Sequence, residues 1–265
     1  MKAIILAAGR GMRLQQPGGA VFPKCLLRFN GQTLLERHLQ MLKTAGVDDV
    51  VLVLGFEHGQ VEAELDRLNW TPRPEIILNP GFELGSVLTV HTAGHAMRAG
   101  DDVLLMDADV LYDERIMRSL VAGATASRLL IDRDFESGDE PVKLCLQDGV
   151  PVELRKKVAD GLAFDTIGES VGFFRFAPAV AVRLADIVAS YIDTGRANQP
   201  HEEAVRDLLL ERGPSRDFDV ADVTGAPWIE IDFPDDIRRA TDSVLPQLQA
   251  LQPLKPEDIE MVLKS

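Results

Sequence analysis

The chain is 265 residues long, with 46% hydrophobic and 26% charged residues, enough to bury a full core as one large α/β domain or as a domain with a small lobe. Its formal net charge of -14 excludes non-specific nucleic-acid binding, which needs a basic surface, but leaves room for a local cluster of Arg and Lys around an anionic nucleotide. Cys25 and Cys145 are too few for a disulfide framework and fit no zinc spacing; no apolar run approaches about 18 residues, so no membrane span is expected and a cytoplasmic location follows.

The first apolar run, residues 3–6, reads as a buried strand. Short buried strands are also expected at 50–54, 76–78 and 103–106, separated by helical patterns at 33–44, 59–68 and 86–97. This alternation predicts a mostly parallel sheet with helices on both faces. In such sheets ligands bind beyond the carboxyl ends of the strands. The loop after residue 6, the Gly85-Ser86 turn and the Asp107-Ala108-Asp109 segment are therefore expected to converge on one edge. The pattern changes after Leu130. Strands at 142–146 and 151–155 flank an Asp148-Gly149 turn signal, and a further strand is expected at 171–176. Helices follow at 178–190 and 202–212, then a strand at 228–231 and a helix after Pro234. Residues 1–248 read as one domain, and 249–265 as a helical tail on a Pro-bounded linker.

The chemistry begins at Leu6-Ala7-Ala8-Gly9-Arg10-Gly11-Met12-Arg13, followed after a loop by Pro23-Lys24. Two glycines let backbone N–H groups approach phosphate oxygens closely. Arg13 and Lys24 supply fixed cations for charge that builds on a polyphosphate under attack. A Walker A loop is absent, and Leu14 stands where a dinucleotide fingerprint needs its third glycine. Two acidic pairs lie at strand ends, Asp107 with Asp109 and Glu230 with Asp232. Residues two apart share a face of a strand, and hard oxygen ligands from two strand ends suit Mg²⁺. The alternative for either pair is helix capping. Gly85-Ser86 opens a helical pattern, so free N–H groups are expected there for a nucleotide, or else Ser86 is a plain N-cap. His91 and His95 are read as structural and Cys25 as a buried thiol; Arg155-Lys156-Lys157 is read as a solvated strand end with one lysine left for an anion.

The string from Leu6 to Arg13 with Pro23-Lys24 resembles the signature of the nucleotidyltransferases that activate sugar phosphates and alcohol phosphates. Stretches 106–113, 131–133, 168–176 and 228–236 extend the resemblance to cytidylyltransferases acting on phosphocholine, inositol 1-phosphate and 2-aminoethylphosphonate. The Gly-Glu-Ser-Val-Gly-Phe-Phe stretch at 168–174 is most like the aminoethylphosphonate branch. The resemblance implies a Rossmann-like, GT-A type fold: a mixed, mostly parallel sheet flanked by helices, with a small β-containing acceptor lobe. It implies Arg13 and Lys24 as catalytic cations, and Leu6, Ala7, Ala8, Gly9, Gly11, Asn79, Gly85, Ser86 and Asp107 around the nucleotide. It implies Mg²⁺ on Asp109 and Asp232, with Glu230 aligning almost as well as Asp232. Acceptor candidates are Arg133, Lys156, Glu169, Glu202, Glu203 and Trp228. The phosphocholine branch surrounds its quaternary amine with aromatic and acidic groups; this chain has only 2 Trp and 2 Tyr, so carboxylates are the expected cation ligands. The expected reaction moves CMP from CTP to a small phosphorylated or phosphonylated acceptor, releasing pyrophosphate. Rival readings are a sugar-1-phosphate uridylyl- or thymidylyltransferase and a non-catalytic nucleotide sensor. A homodimer is also expected, with no nucleic-acid or membrane partner.

Overall fold

The computed structural model describes residues 1–14, 22–123, 127–211 and 218–248. Strand β1 (Lys2–Ala7) is apolar on both faces, and its Ala3, Ile4 and Ile5 are wholly buried, as befits a strand covered by helices on two sides. The strands β2 (Arg28–Phe29) and β3 (Gln32–Thr33) form a short hairpin that leads into helix α1 (Leu34–Thr44). Thr33 caps α1 by accepting the Glu36 N–H at 3.0 Å, which meets one of the free donors of the first turn. Next come β4 (Asp49–Leu54), α2 (His58–Leu68) and β5 (Glu75–Leu78). Helices α3 (Ser86–Thr92) and α4 (Gly94–Met97) carry the chain back across the sheet to β6 (Val103–Asp107).

The second half runs through β7 (Val110–Tyr112), α5 (Glu114–Val121), β8 (Ser127–Ile131), β9 (Lys143–Gln147), β10 (Val150–Arg155) and β11 (Thr166–Glu169). It continues with β12 (Phe173–Phe176), α6 (Pro178–Asp193), α7 (His201–Glu211), β13 (Phe218–Asp222), β14 (Trp228–Glu230) and α8 (Pro234–Arg239).

Among the described residues the main sheet has seven strands in the order β13-β8-β12-β6-β1-β4-β5. β1 pairs parallel with β4 and with β6, β4 with β5, and β8 with β13, while β12 runs antiparallel to both its neighbours. This is the mostly parallel, mixed sheet that the sequence predicts. The chain steps outward from β1 to β4 and β5, then returns to the other side of β1 at β6. The crevice beyond the ends of β1 and β6 is therefore a topological switch point, where such folds open toward ligands. Alternation along β1 sends Ile4 into the core beneath α3, α6 and α7, and Ala3 and Ile5 into the core beneath α1, α2 and α5.

A separate three-stranded sheet, β10-β9-β11, forms the small lobe. Its hairpin turns on Asp148 and Gly149, both at positive φ (52° and 77°), which matches the twist of the flanking strands. β14 pairs with β7 and brings the late acidic residues beside the early ones.

Several boundaries differ from expectation. The helix expected at 86–97 is broken at Ala93, whose N–H bonds back to Val90 O at 3.1 Å, and the poor helix former Gly94 follows. The strand near 76–78 is present, but it lies at the sheet edge with Leu78 48% exposed rather than buried. β8, β11 and β13 were not expected: β11 carries a single large apolar residue and β13 has acids at both flanks of its apolar centre, while β8 holds only the short apolar run Leu129-Leu130-Ile131. The strand at 171–176 begins only at Phe173, because Gly172 has a left-handed φ of 77°. The expected tail at 249–265 and Arg212, the expected end of α7, lie outside the described residues. Among the described residues no helix is long and apolar enough to cross a membrane.

Candidate active site

The switch point holds a cleft of about 440 Å³. Leu6, Ala7, Ala8, Gly9, Gly11 and Arg13 line it from the end of β1, Lys24 from the following turn, and Gly85 and Ser86 from the start of α3. Asp107 and Asp109 enter from the end of β6, Lys156 from the small lobe, Glu202 from α7, and Glu230 and Asp232 from β14 and the chain just beyond it. The sequence placed all of these around the ligand, and the fold brings them into one cavity from segments more than 200 residues apart.

At one end the charges are paired. The Lys24 ammonium donates to Asp109 Oδ2 at 2.8 Å and to Asp232 Oδ1 at 2.6 Å. Arg13 Nη1 donates to Asp232 Oδ2 at 3.0 Å, and its guanidinium lies over the Phe233 ring. Burial by itself lowers the Lys24 pKa, but Asp109 and Asp232 outweigh it and hold the ammonium charged well above its usual range. Burial pushes the Asp232 carboxyl up, yet Lys24 and Arg13 win and keep it below the ordinary carboxylate range. Gly11, at a φ of 60°, makes room for this lysine: a Cβ there would sit 2.9 Å from Lys24 Cγ.

Oxygens of Asp109, Glu230 and Asp232 lie within 4.8 Å of one another. The backbone explains the grouping, since Ile231 N–H donates to Asp109 O at 3.0 Å and so splices the β14 chain against the end of β6. Desolvation, followed by the charges of Asp109, Asp232 and Asp107, pushes the Glu230 carboxyl well above its usual range. Three hard oxygen donors with surplus negative charge fit a divalent cation of the Mg²⁺ type.

The other end is different. Asp107 is fixed by its own N–H, which donates to Gly172 O at 3.2 Å, and by close packing, since a Cβ on Gly172 would fall 2.6 Å from Asp107 Oδ2. Desolvation, then the charge of Glu202, then that of Asp109, push the Asp107 carboxyl well up. Beside it lies His201, 3% exposed. The His201 N–H donates to Ser86 Oγ at 2.8 Å; its Nδ1 lies 3.2 Å from that hydroxyl and 3.2 Å from Glu202 Oε2, and its Nε2 lies 4.0 Å from Asp107 Oδ1.

A second cleft of about 580 Å³ adjoins the first and shares Glu230 and Asp232 with it. Glu169 and Trp228 line this second cavity rather than the first. Trp228 Nε1 donates to Asp132 Oδ2 at 2.8 Å, and burial with Asp132 pushes the Glu169 carboxyl up to about 7.

Four expectations are corrected. Asn79 is 1% exposed and lines neither cleft; its amide bonds Thr89 Oγ1 and accepts from Gly81 N–H, so it shapes the turn before α3. Arg133 points to the surface, 2.8 Å from Asp222 Oδ2, because β13 lies alongside β8 and carries that aspartate. Glu203 faces away from the cleft and holds Arg155 in a bidentate pair at 2.9 and 2.8 Å, since adjacent helix positions point about 100° apart. The start of α3 is not a row of free donors: Val87 N–H bonds Gln199 O at 3.2 Å, and Gly85 packs against the backbone of Asn198. The sequence reading also missed His201, Phe82, Glu83, Thr89 and Pro200 as cleft residues. For His201 the only local signal was its place beside Glu202, without metal-ligand spacing.

A glycine turn and cations at the switch point of a Rossmann-like sheet, faced by clustered carboxylates, define a nucleotidyltransferase architecture. The chain belongs to the MobA-like NTP transferase domain family, which it matches over residues 3–161. It is 27% identical over 253 residues to CMP-5'-(3-aminopropyl)phosphonate synthase of Streptomyces rubellomurinus, covering 91% of this chain and 38% of that one. It is 22% identical over 262 residues to CTP:phosphoglutamine cytidylyltransferase of Campylobacter jejuni, covering 89% of this chain and 98% of the relative. The chain thus spans well under half the length of the first relative and nearly all of the second. Among solved structures it resembles the inositol-1-phosphate CTP transferase from T. maritima, with a TM-score of 0.71 at 19% identity over 94% of this chain and 98% of that chain. It also resembles CTP:phosphocholine cytidylyltransferase from Streptococcus pneumoniae, with a TM-score of 0.69 at 18% identity over 90% and 96% of the two chains. At these identities the structural likeness is one of fold.

Proposed function

We propose that the protein transfers CMP from CTP to a small phosphorylated or phosphonylated acceptor with release of pyrophosphate, and that 2-aminoethylphosphonate is the preferred acceptor. The observation that carries this reading is the set of Lys24 and Arg13 on Asp109 and Asp232 at the switch point, next to the glycine turn. Cytidine as the base, and a phosphonate or phosphate as acceptor, draw support from the names of the relatives.

The acceptor already carries an anionic oxygen, so its attack on the α-phosphorus needs no general base. The protein's part is alignment and stabilisation of charge on the transferring group and the departing pyrophosphate. Backbone N–H groups around Gly9 and Gly11 receive phosphate oxygens, and Lys24 and Arg13 exchange carboxylate partners for phosphate. Asp109, Asp232 and Glu230 would hold Mg²⁺, which supplies further neutralisation of the triphosphate when bound. With Arg133 facing the surface, Lys156 is the cation of the cleft left for the acceptor's anionic end.

The test is pyrophosphate release from CTP, UTP, dTTP and ATP against 2-aminoethylphosphonate, phosphocholine, inositol 1-phosphate and glucose 1-phosphate. Turnover with CTP and a small phosphonate or alcohol phosphate is expected. Turnover confined to UTP or dTTP with the sugar phosphate overturns the cytidylyl reading, and no turnover with any pair leaves a nucleotide-binding protein instead.

A further inference from the structure

We infer that Glu202, with His201 beside it, binds the ammonium end of the acceptor and so sets its chemical class. The inference deepens the proposed cytidylyltransferase reading and rests on it for the identity of the ligand as acceptor.

The first turn of α7 divides two adjacent acids. Glu203 turns to Arg155 on β10, and Glu202 turns into the cleft. Among the described residues, Glu202 Oε2 and His201 Nε2 are buried without a hydrogen-bond partner, and both residues line the cleft. A buried polar atom left unmet is costly, and in a native fold it is normally satisfied by something. The neighbouring Asp107 Oδ1 lies 4.0 Å from Nε2.

The cations of the cleft are engaged elsewhere. Lys24 lies on Asp109 and Asp232, Arg13 on Asp232, and Lys156 on Glu140 at 3.1 Å. Among the described residues no Lys or Arg forms an ion pair with Asp107 or Glu202. The unmet Glu202 Oε2 and His201 Nε2 therefore have no Lys or Arg donor among the described residues. A primary ammonium supplies one charge and three N–H groups for Glu202 and a ring nitrogen of His201. A trimethylammonium supplies charge without donors and favours aromatic faces. A hydroxyl supplies a donor without charge. Lys156 follows β10, which is tied to α7 by the Arg155–Glu203 and Arg206–Glu153 pairs. Lys156 and Glu202 are thus carried on elements clasped to each other.

The experiment uses two near-isosteric acceptors, 2-aminoethylphosphonate and 2-hydroxyethylphosphonate. Both kcat/KM with CTP and direct binding by calorimetry are measured for the wild type, Glu202→Gln and Glu202→Asp, with thermal melting to check folding. The wild type is expected to favour the amine by about 10- to 100-fold, the range of a charge-assisted hydrogen bond. Glu202→Gln should remove most of that preference, leave the hydroxyl compound within about threefold and leave CTP binding unchanged; Glu202→Asp, which keeps the charge, should retain part of the preference. An equal loss for both acceptors, weakened CTP binding or an unchanged preference in Glu202→Gln overturns the assignment. If the amine binds through Glu202 but CTP yields no pyrophosphate, the inferred subsite stands and the cytidylyltransferase reading fails. If pyrophosphate forms but discrimination is independent of Glu202, the reverse holds. Neither binding nor turnover overturns both.

Discussion

The two ends of the cleft are built from the same residue types and left in opposite electrostatic states. Around Lys24, each cation meets a carboxylate at 2.6–3.0 Å before any ligand arrives. Around Asp107, acids crowd one another and a buried histidine nitrogen has no partner. Positioned charge is what stabilising a transition state requires. Uncompensated charge is what recognition requires, because the right ligand removes a penalty that a wrong one leaves in place.

The severest way to break this comparison is to remove the metal expected at the Lys24 end. Excess EDTA should abolish pyrophosphate release and added Mg²⁺ restore it, with Asp109→Asn and Asp232→Asn both strongly impaired. Full activity in EDTA would leave Lys24 and Arg13 as the whole of the charge stabilisation. The next test is Lys24→Ala and, separately, Arg13→Ala. Each should lower kcat by about 100-fold or more, on the order of 3 kcal/mol, while the melting temperature stays close to wild type. Near-normal kcat in both would remove the Lys24 end from the chemistry.

Any pH comparison of the two ends needs the fold's own titration subtracted, in which His38 and the raised Glu169 carboxyl act in opposite directions. His38 is wholly buried against Tyr112 and Phe173, and burial pushes its pKa down to about 4 from 6.5. The folded state then binds fewer protons than the unfolded state between these values. The stability contribution is fully present above pH 6.5 and is lost as pH falls toward 4, by roughly 3 kcal/mol in all. In urea titrations from pH 4 to 7.5 the difference between wild type and His38→Gln should show this slope; parallel curves would clear His38. The smallest effect is expected at Arg133→Ala, which removes an exposed pair with Asp222 worth about 0–1 kcal/mol. Acceptor KM should stay within about twofold, and a large rise would return Arg133 to the site.

The Lys24 end was largely legible in the sequence. A strand, a glycine turn and the cations Arg13 and Lys24 are close neighbours along the chain, and Asp109 and Asp232 each follow an apolar strand. Local pattern suffices for such features. The recognition end was not legible in the same way. Choosing Glu202 over Glu203 needs the rotational phase of α7, and dismissing Arg133 needs the pairing of β8 with β13, whose residues are about 90 positions apart. His201 is recognised only by the neighbours that its burial gives it. Likewise β8 and β13 are strands because each finds a partner, which short-range alternation does not reveal.

The paired clasps between β10 and α7 have a consequence for how such a protein diversifies. Arg155 with Glu203 and Arg206 with Glu153 fasten the small lobe to the helix bearing Glu202, so Lys156 and Glu202 travel together as one cassette within residues 143–211. Exchanging that span with a relative's should transplant acceptor preference while nucleotide preference stays with the host, as kcat/KM for paired nucleotides and acceptors would reveal. Breaking one clasp in the chimera should blur acceptor choice without touching the triphosphate end.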